Sequence, residues 1–560
     1  MVRQRRVARN QLLSRGALVV AAVVATVIPL RGLFFGKLLG DLGDARWTVS
    51  VYEHWFRFFG GHEALGSTLF FFPAHDTLGF SDAFLAPGIV HALLRAMTLD
   101  PVTSWSIATC VLIFVGNLGI ALLAHQVFRS LSVKLVFVLI AGTTYAFVTQ
   151  LEHVQTLGYG IFWWIIALYL YGRHGTSKRS RTAWFFMLPV LALGALTSWY
   201  PVFFFFMVGA IAVVFTFIFT RSARWVVTPW RRARSLSLTG WVLSLGVTLG
   251  LGAAWLLVYV PVLGALRKPW TEYLTYGPHV VDVVNVMGGA GIWWDLVHVL
   301  DPTVTPSSAE HAMGIPPILF VSFVVVSLWL LAMAIRRRIA VPTALVVGAI
   351  TVWATWLVVM IFGEGGFSLF HLLWKFLPGA TSIRAAFRVN IVLTVIVLLI
   401  VIYVVEKWVL DGNRTHARRH SLRVLGAAVL LCLFFIEQQR PAPTNWTADQ
   451  FVAPPLRSSL SQLEHSSCTS FLLTEPGPES VHPESWWWLV QVDATALAVS
   501  SEIATINGYS GNFPGGYPFI PPTSAESISA YLDWAQGLGL TDTCLVSAGG
   551  VRPVELSSPR

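Results

Sequence analysis

Charge is what this sequence has least of. Only 12% of its 560 residues are Asp, Glu, Lys or Arg, against 55% hydrophobic, and the mean hydropathy is +0.67. A soluble domain could not clothe its surface with so few charges, so the chain reads as a polytopic membrane protein. Cysteine is nearly absent: the four are Cys110, Cys432, Cys468 and Cys544, with no CxxC pair, which excludes a thiolate metal centre or a dithiol redox motif. No repeat recurs at a fixed period, which counts against transporters built from repeated halves. No small-residue cleavage site follows the Arg-rich start and the run from Ala17 to Phe35, so that run is a retained helix rather than a signal peptide.

What is abundant is long apolar runs. Eleven approach the length needed to cross the hydrocarbon, at roughly residues 17–35, 105–127, 132–149, 157–171, 183–198, 202–220, 238–263, 314–335, 341–362, 389–405 and 422–437. Only Trp199, Tyr200 and Pro201 divide the fifth from the sixth. With Arg3, Arg5, Arg6, Arg9 and Arg15 placed in the cytoplasm, alternation puts every basic cluster (GRHGTSKRSR, RSARWVVTPWRRARS, RRR, EKWVLDGNRTHARRH) on the inner side. Of the 28 acidic residues only Glu406 and Asp411 then fall inside. The net charge of +10 is therefore a topology signal, and nucleic acid is set aside as a partner.

The expected fold is an all-α polytopic membrane protein of about eleven transmembrane helices over residues 1–437, with a large first outer loop, 36–104. A small extracytoplasmic α/β domain follows over 438–560. In that tail SFLLTEP and TCLVSAG read as strands, and SAESISAYLDWAQGLG reads as an amphipathic helix capped by Ser524. Cys468 and Cys544 would form a disulfide if the tail faces an oxidising compartment.

The polar chemistry gathers in the outer loops. GDLGDARWTVSVYEHW, residues 40–55, carries Asp41 and Asp44 directly after the first apolar run. Over 44–59, Trp47, Val51, Tyr52, Trp55, Phe58 and Phe59 fall at helical spacing while Arg46, Glu53, His54 and Arg57 lie largely on other faces, which predicts a helix in the membrane interface. The plain reading of the two carboxylates is that one caps this helix, contributing about 1 kcal/mol, and the other is solvated. The functional reading is a site at headgroup height. The loop continues through His75, Asp76 and Asp82, candidates for substrate binding, without the ligand spacing of a metal site.

A second cluster, GEGGFSLFHLLWKFLPGATSIRAAFRVN, brings Lys375, Arg384 and Arg388. Guanidiniums at i and i+4 repel unless an anion lies between them, and phosphate matches their geometry; lipid headgroups or loop acids are the alternative. A third, RKPWTEYLTYGPHVVDVVN, offers Tyr276 and His279 among Lys268, Glu272, Tyr273 and Asp282, a mixture that suits sugars as well as an interfacial belt. In the tail, SWWWLV and NGYSGNFPGGYP are sugar-binding candidates on the same ground, although Gly-Tyr-Pro strings commonly form turns.

An N-terminal helix, a first outer loop opening on acidic residues, many further spans and an outer tail together resemble the GT-C superfamily of membrane glycosyltransferases. The strings GDLGDAR, PGATSIRAAFR and NGYSG resemble those of bacterial members. The resemblance implies transfer of a sugar from a polyprenyl-phosphate carrier to a cell-envelope glycan, lipid or protein on the outer side of the cytoplasmic membrane. It implies that Asp41 or Asp44 is the catalytic base or a metal ligand, and that a divalent metal, Mg or Mn, would draw on Asp41, Asp44 and Asp76. The chain lacks the adjacent Asp-Glu pair and the His-Pro-Asp-Glu variant of better-known branches. Two rivals remain. A transporter or flippase of a lipid-linked glycan would place ionisable residues at mid-membrane, where these spans hold few. A non-catalytic envelope-assembly protein gives no reason for carboxylates opposite a guanidinium pair.

Overall fold

The computed structural model describes residues 2–152, 158–174, 178–221, 238–336, 343–363, 365–410, 417–474 and 488–556. Most of the basic loop 221–237, the RRR cluster beyond Arg336, and Ser485, Trp486 and Trp487 of SWWWLV lie outside the described residues.

Among the described residues seven helices are long and apolar enough to cross a membrane: 101–127, 131–149, 199–220, 238–259, 317–335, 386–407 and 421–438. Others of the expected runs form shorter apolar helices, including Leu12–Val27, Phe185–Ala195 and Thr343–Val359. The chain is a multi-pass, mainly helical membrane protein. The first run is cut short of its expected end: its helix stops at Val27, just before Pro29, and Arg31–Phe35 is a 3-10 turn closed by Gly36 at φ 73°. The division at Trp199 is sharp, with one helix ending at Ala195 and the next beginning at Trp199. Helix Pro101–Val127 starts where Asp100 accepts the Thr103 amide at 2.9 Å and Pro101 takes the first turn. It crosses Tyr159–His174 at Gly116 and Gly160, where a side chain on either glycine would come within 3 Å of the other backbone. Helix Leu238–Tyr259 leaves Val242, Leu243, Val247, Leu249, Leu256 and Leu257 uncovered, a face suited to lipid.

The tail carries a four-stranded sheet in the order β4-β3-β5-β6, with β3 (Ser470–Leu473) parallel to β4 (Ala504–Thr505) and β5 (Asp542–Ser547), and β6 (Gly550–Glu555) antiparallel to β5. Both expected strands are there, and Ser524 caps helix Ala525–Gly537 by accepting the Ser527 amide. Cys468 and Cys544 form the disulfide.

The tail is stitched to the first loop. Strands β1 (Lys37–Leu38) and β2 (Trp446–Thr447) pair antiparallel, and residues 69–72 extend the β4 edge through Thr505 N–H to Leu69 O (2.7 Å) and Phe71 N–H to Asn507 O (2.9 Å). One apolar core, including Trp47, Tyr52, Trp55, Trp105, Trp446, Leu489, Val492 and Tyr531, runs through both. This corrects the expected interfacial helix. Asp44–Phe59 forms as a helix, but every residue from Ala45 to Trp55 is buried between the first loop, the membrane helices and the tail. Its polar residues are buried as pairs instead of facing solvent: Arg46 with Asp493, and Glu53 with His91 and Arg95.

Candidate active site

Asp44 opens helix Asp44–Phe59, and Asp41 lies one turn before it. Asp41 Oδ1 accepts the amides of Gly43 (3.0 Å) and Ala45 (3.4 Å), which is the capping job of the plain reading. Asp44 does not take the solvated role left over. Its Oδ1 accepts the phenol of Tyr509 at 3.0 Å, from the tail. Tyr509 also lies within electrostatic reach of Asp41 and of Arg384, and burial with the two carboxylates holds its hydroxyl protonated. It therefore stands between the first-loop carboxylates and the basic cluster.

Arg384 lines a cavity of about 790 Å³. Its lining includes the apolar side chains of Trp199, Trp255, Leu263, Leu266, Phe376 and Leu377 and the cations Arg267, Lys268, Lys375, Arg384 and Arg388. Gly511 and Asn512, next to Tyr509 in the chain, close one side: Gly511 O accepts Lys268 Nζ at 2.6 Å, and Asn512 Nδ2 donates to Phe80 O at 2.9 Å. Asp41, Asp44 and Tyr509 are not among the lining residues; Tyr509 lies within electrostatic reach of Arg384, which is one of them.

Arg384 follows a 3-10 turn and Arg388 sits in another (Ala386–Val389), so they do not share a regular helical face. Nor are they held apart only by a bound anion, because each has its own carboxylate and its own ring. Arg384 donates to Glu272 Oε1 at 3.1 Å and lies over Tyr276 at 5.0 Å; Arg388 donates to Glu310 Oε1 at 3.4 Å and lies over Tyr200 at 5.1 Å. Burial works against the charge of Arg384, but Tyr200, Glu272 and Glu310 outweigh it and the guanidinium is held positive. Tyr200 also accepts the Arg384 amide at 3.1 Å. Burial lowers the proton affinity of Lys268, which Glu272 partly restores.

The remaining candidates separate. Asp82 lines the cavity, fully buried, and accepts Ser198 Oγ (2.8 Å) and the Trp199 amide (2.7 Å), so it caps the helix starting at Trp199. Burial raises its carboxyl to about 6, opposed by those two bonds and by Arg388. Tyr276 enters the site as the ring beneath Arg384, and Lys375 lines the cavity. His75 and Asp76 line a different recess of about 300 Å³, formed with Pro73, Pro261 and Pro514. His279 opens the 3-10 turn Val280–Val284 and its ring stacks on His311 at 6.2 Å, outside the cavity lining. Among the described residues no three of His, Cys, Asp or Glu gather as a metal site, so Asp76 does not join Asp41 and Asp44.

Sequence reasoning passed over Tyr200, Trp255, Glu310 and the pairing of Tyr509 with Asp44. Tyr200 had a signal, since it belongs to the Trp-Tyr-Pro break between two apolar runs. Glu310 had none, because its contact with Arg388 spans 78 residues of chain.

No protein-family model matches the chain, and no curated protein matches its sequence. Solved structures do match in shape. The oligosaccharyltransferase AglB of Archaeoglobus fulgidus, solved with an inhibitory peptide and a dolichol-phosphate, superposes with a TM-score of 0.50 at 11% identity, over 96% of this chain and 69% of that one. ArnT from Cupriavidus metallidurans bound to undecaprenyl phosphate aligns with a TM-score of 0.43 at 12% identity, over 88% and 85% of the two chains. The mycobacterial arabinofuranosyltransferase AftD gives 0.43 at 14% identity, over 95% of this chain and 35% of that one. The likeness to AglB shows that this chain has the GT-C fold.

Proposed function

We propose that the chain is a membrane glycosyltransferase that moves a sugar from a polyprenyl-phosphate donor to a cell-envelope glycan, lipid or protein acceptor, with inversion, on the outer side of the membrane. The observation that carries this reading is the cavity, whose lining joins apolar side chains that suit a prenyl chain to Arg267, Lys268, Lys375, Arg384 and Arg388, with Arg384 in electrostatic reach of the tyrosine that is bonded to Asp44. The same fold in AglB was solved with a dolichol-phosphate. The Cys468–Cys544 disulfide supports an oxidising, outer compartment for the tail.

Glycosyl transfer needs positive charge where the phosphate leaves and a carboxylate where the acceptor hydroxyl loses its proton. Arg384 and Arg388, fixed by their carboxylate and ring partners, supply the first. Asp44 supplies the second, with Asp41 beside it at the start of the helix. As the sugar–phosphate bond breaks, the electron pair passes to the phosphate oxygen held by the arginines while the acceptor oxygen bonds to the anomeric carbon. The acceptor proton passes to the carboxylate. If a divalent ion binds here, Asp41 and Asp44 would hold it through carboxylate oxygens, a donor type that suits Mg or Mn. Such an ion would add positive charge at the leaving phosphate.

The test uses purified full-length protein, radiolabelled polyprenyl-phosphate sugars and membrane extract, comparing wild type with Asp41→Asn and Asp44→Asn, each with and without chelator. Transfer lost in Asp44→Asn supports the reading. Donor left unconsumed across a broad panel, with both variants still failing to complement a deletion strain, sinks it and favours a lipid-glycan flippase.

A further inference from the structure

We infer that the recess at His75 and Asp76 is the acceptor subsite, and that the acceptor it takes is a glycan with free hydroxyls rather than a lipid or a protein. This rests on the proposed glycosyl transfer.

The recess measures about 300 Å³, at the lower end of ligand sites. It does not stand apart from the large cavity, because three segments line both in turn. In the first loop His75 and Asp76 line the recess, Phe80 lines both, and Ser81 and Asp82 line the cavity. After helix Leu238–Tyr259, Pro261 and Val262 line the recess while Leu263 and Leu266 line the cavity. In the tail Gly511 and Asn512 line the cavity, and Pro514 and Gly515 the recess. Asn512 and Pro514 are two residues apart, at most about 7 Å of chain. Tyr509, which is bonded to Asp44, precedes Pro514 by five residues, at most about 18 Å. The partition between the two spaces is tightly packed. Asn512 Nδ2 donates to Phe80 O at 2.9 Å, and a Cβ on Gly79 would sit 2.3 Å from Val258 O.

The lining chooses the occupant. Among the described residues no Lys or Arg lines the recess, whereas five cations line the cavity, so the recess is not made for a phosphate. Pro73, Pro261, Pro514 and Phe80 offer ring faces to the C–H side of a sugar. The Asp76 carboxylate and the His75 imidazole offer hydrogen-bonding groups to its hydroxyls. Among the described residues neither side chain is engaged in a hydrogen bond or an ion pair. Asp76 is held at φ 59°, a backbone that Asp tolerates, and Gly66 leaves room for its carboxylate: a Cβ there would sit 2.7 Å from Oδ1. An extended peptide would favour a sheet edge, but residues 69–72, which lead into Pro73, already cover the β4 edge. A lipid acceptor would favour a mouth without polar groups, and here the exposed His75 stands at it.

The test uses purified full-length protein in detergent and a radiolabelled panel of neutral di- to tetrasaccharides of arabinose, galactose and mannose, read by equilibrium dialysis. A member of the panel should bind saturably. Asp76→Gly removes the carboxylate but accepts the left-handed backbone, and should weaken that binding about tenfold or more, as expected for a lost hydrogen bond to a charged group. Gly515→Trp adds bulk to the lining where a Cβ meets nothing within 4 Å, and should abolish binding. Both variants should still bind undecaprenyl phosphate as wild type does, which shows that the large cavity is intact. Arg384→Ala should behave in the opposite way, losing undecaprenyl phosphate and keeping the sugar. No saturable binding across the panel, binding that survives both recess variants, or saturable binding of a random-sequence peptide pool in place of the sugars overturns the inference. Dialysis needs no turnover, so the two readings fail separately. Sugar bound at the recess with no donor consumed counts against the proposed function and not against the recess. Transfer in Gly515→Trp with an unchanged acceptor KM counts against the recess alone.

Discussion

Arg46 and Asp493 form a buried ion pair at 2.5 Å between positions 447 residues apart, each side chain only 2% exposed. Arg46 follows Asp44 by two residues and also donates to Gln450 O at 3.2 Å, so the helix bearing the candidate base is fastened to the tail at its first turn. Removing one partner strands a buried charge, which costs about 3–5 kcal/mol, whereas replacing both with apolar residues of similar size costs much less. Asp493→Leu should therefore lower the melting temperature in detergent more than the double replacement Arg46→Met with Asp493→Leu. Equal melting for single and double variants would show that the pair does not bear on stability.

The two cavity arginines make a kinetic prediction. If Arg384 stabilises the departing phosphate, Arg384→Ala should reduce kcat by about 10²–10³-fold, the usual effect of losing one transition-state donor. Arg384→Lys should recover little, because an ammonium does not reproduce both the Glu272 bond and the stack on Tyr276. Full activity in Arg384→Lys would mean that the site needs only net charge.

Asp82 gives a pH dependence with a definite sign. Its folded carboxyl is raised from 3.8 to about 6, chiefly by burial, so its favourable contribution to stability is complete below the unfolded value and is lost as pH rises through about 6. A change of that size is worth about 3 kcal/mol at neutral pH. Asp82→Asn should therefore gain stability relative to wild type as pH rises from about 4 to about 7. Thermal unfolding at a series of pH values reads this directly, and a difference independent of pH would count against a buried, raised carboxyl.

The disulfide closes 76 residues of the tail between β3 and β5. Its reduction, or Cys468→Ser with Cys544→Ser, should cost about 2–4 kcal/mol. In intact cells both cysteines should resist alkylation until a reductant is added. Alkylation without reductant would place the tail on the reducing side.

Much of the fold is legible in the chain because its signals are local. A span is a run of neighbours, a cap such as Asp100 or Ser524 bonds to amides three residues on, and the paucity of charge rules out a soluble surface without any pairing information. The site is legible in part for the same reason. Asp41, Asp44, Arg384 and Arg388 stand out as charges at the ends of apolar runs. Their partners do not, because contacts such as Arg46 to Asp493 and Asp44 to Tyr509 join the first loop to the tail across most of the chain. Helical spacing put Arg46 and Glu53 on other faces than the aromatic residues; only the packing shows that they are buried and paired, Arg46 with Asp493 of the tail and Glu53 with His91 and Arg95 of the first loop.

The sequence by itself determined a multi-pass helical membrane protein, a small α/β tail with its disulfide partners, and loops between apolar runs that carry the carboxylates and the guanidiniums, since composition and periodicity act over a turn or a span. Tertiary structure alone decided that Asp44 is held by Tyr509, that Arg384 and Arg388 each own a carboxylate, and that His75 and Asp76 face a separate recess. Those outcomes depend on which distant segments bury surface together, and no local pattern encodes that.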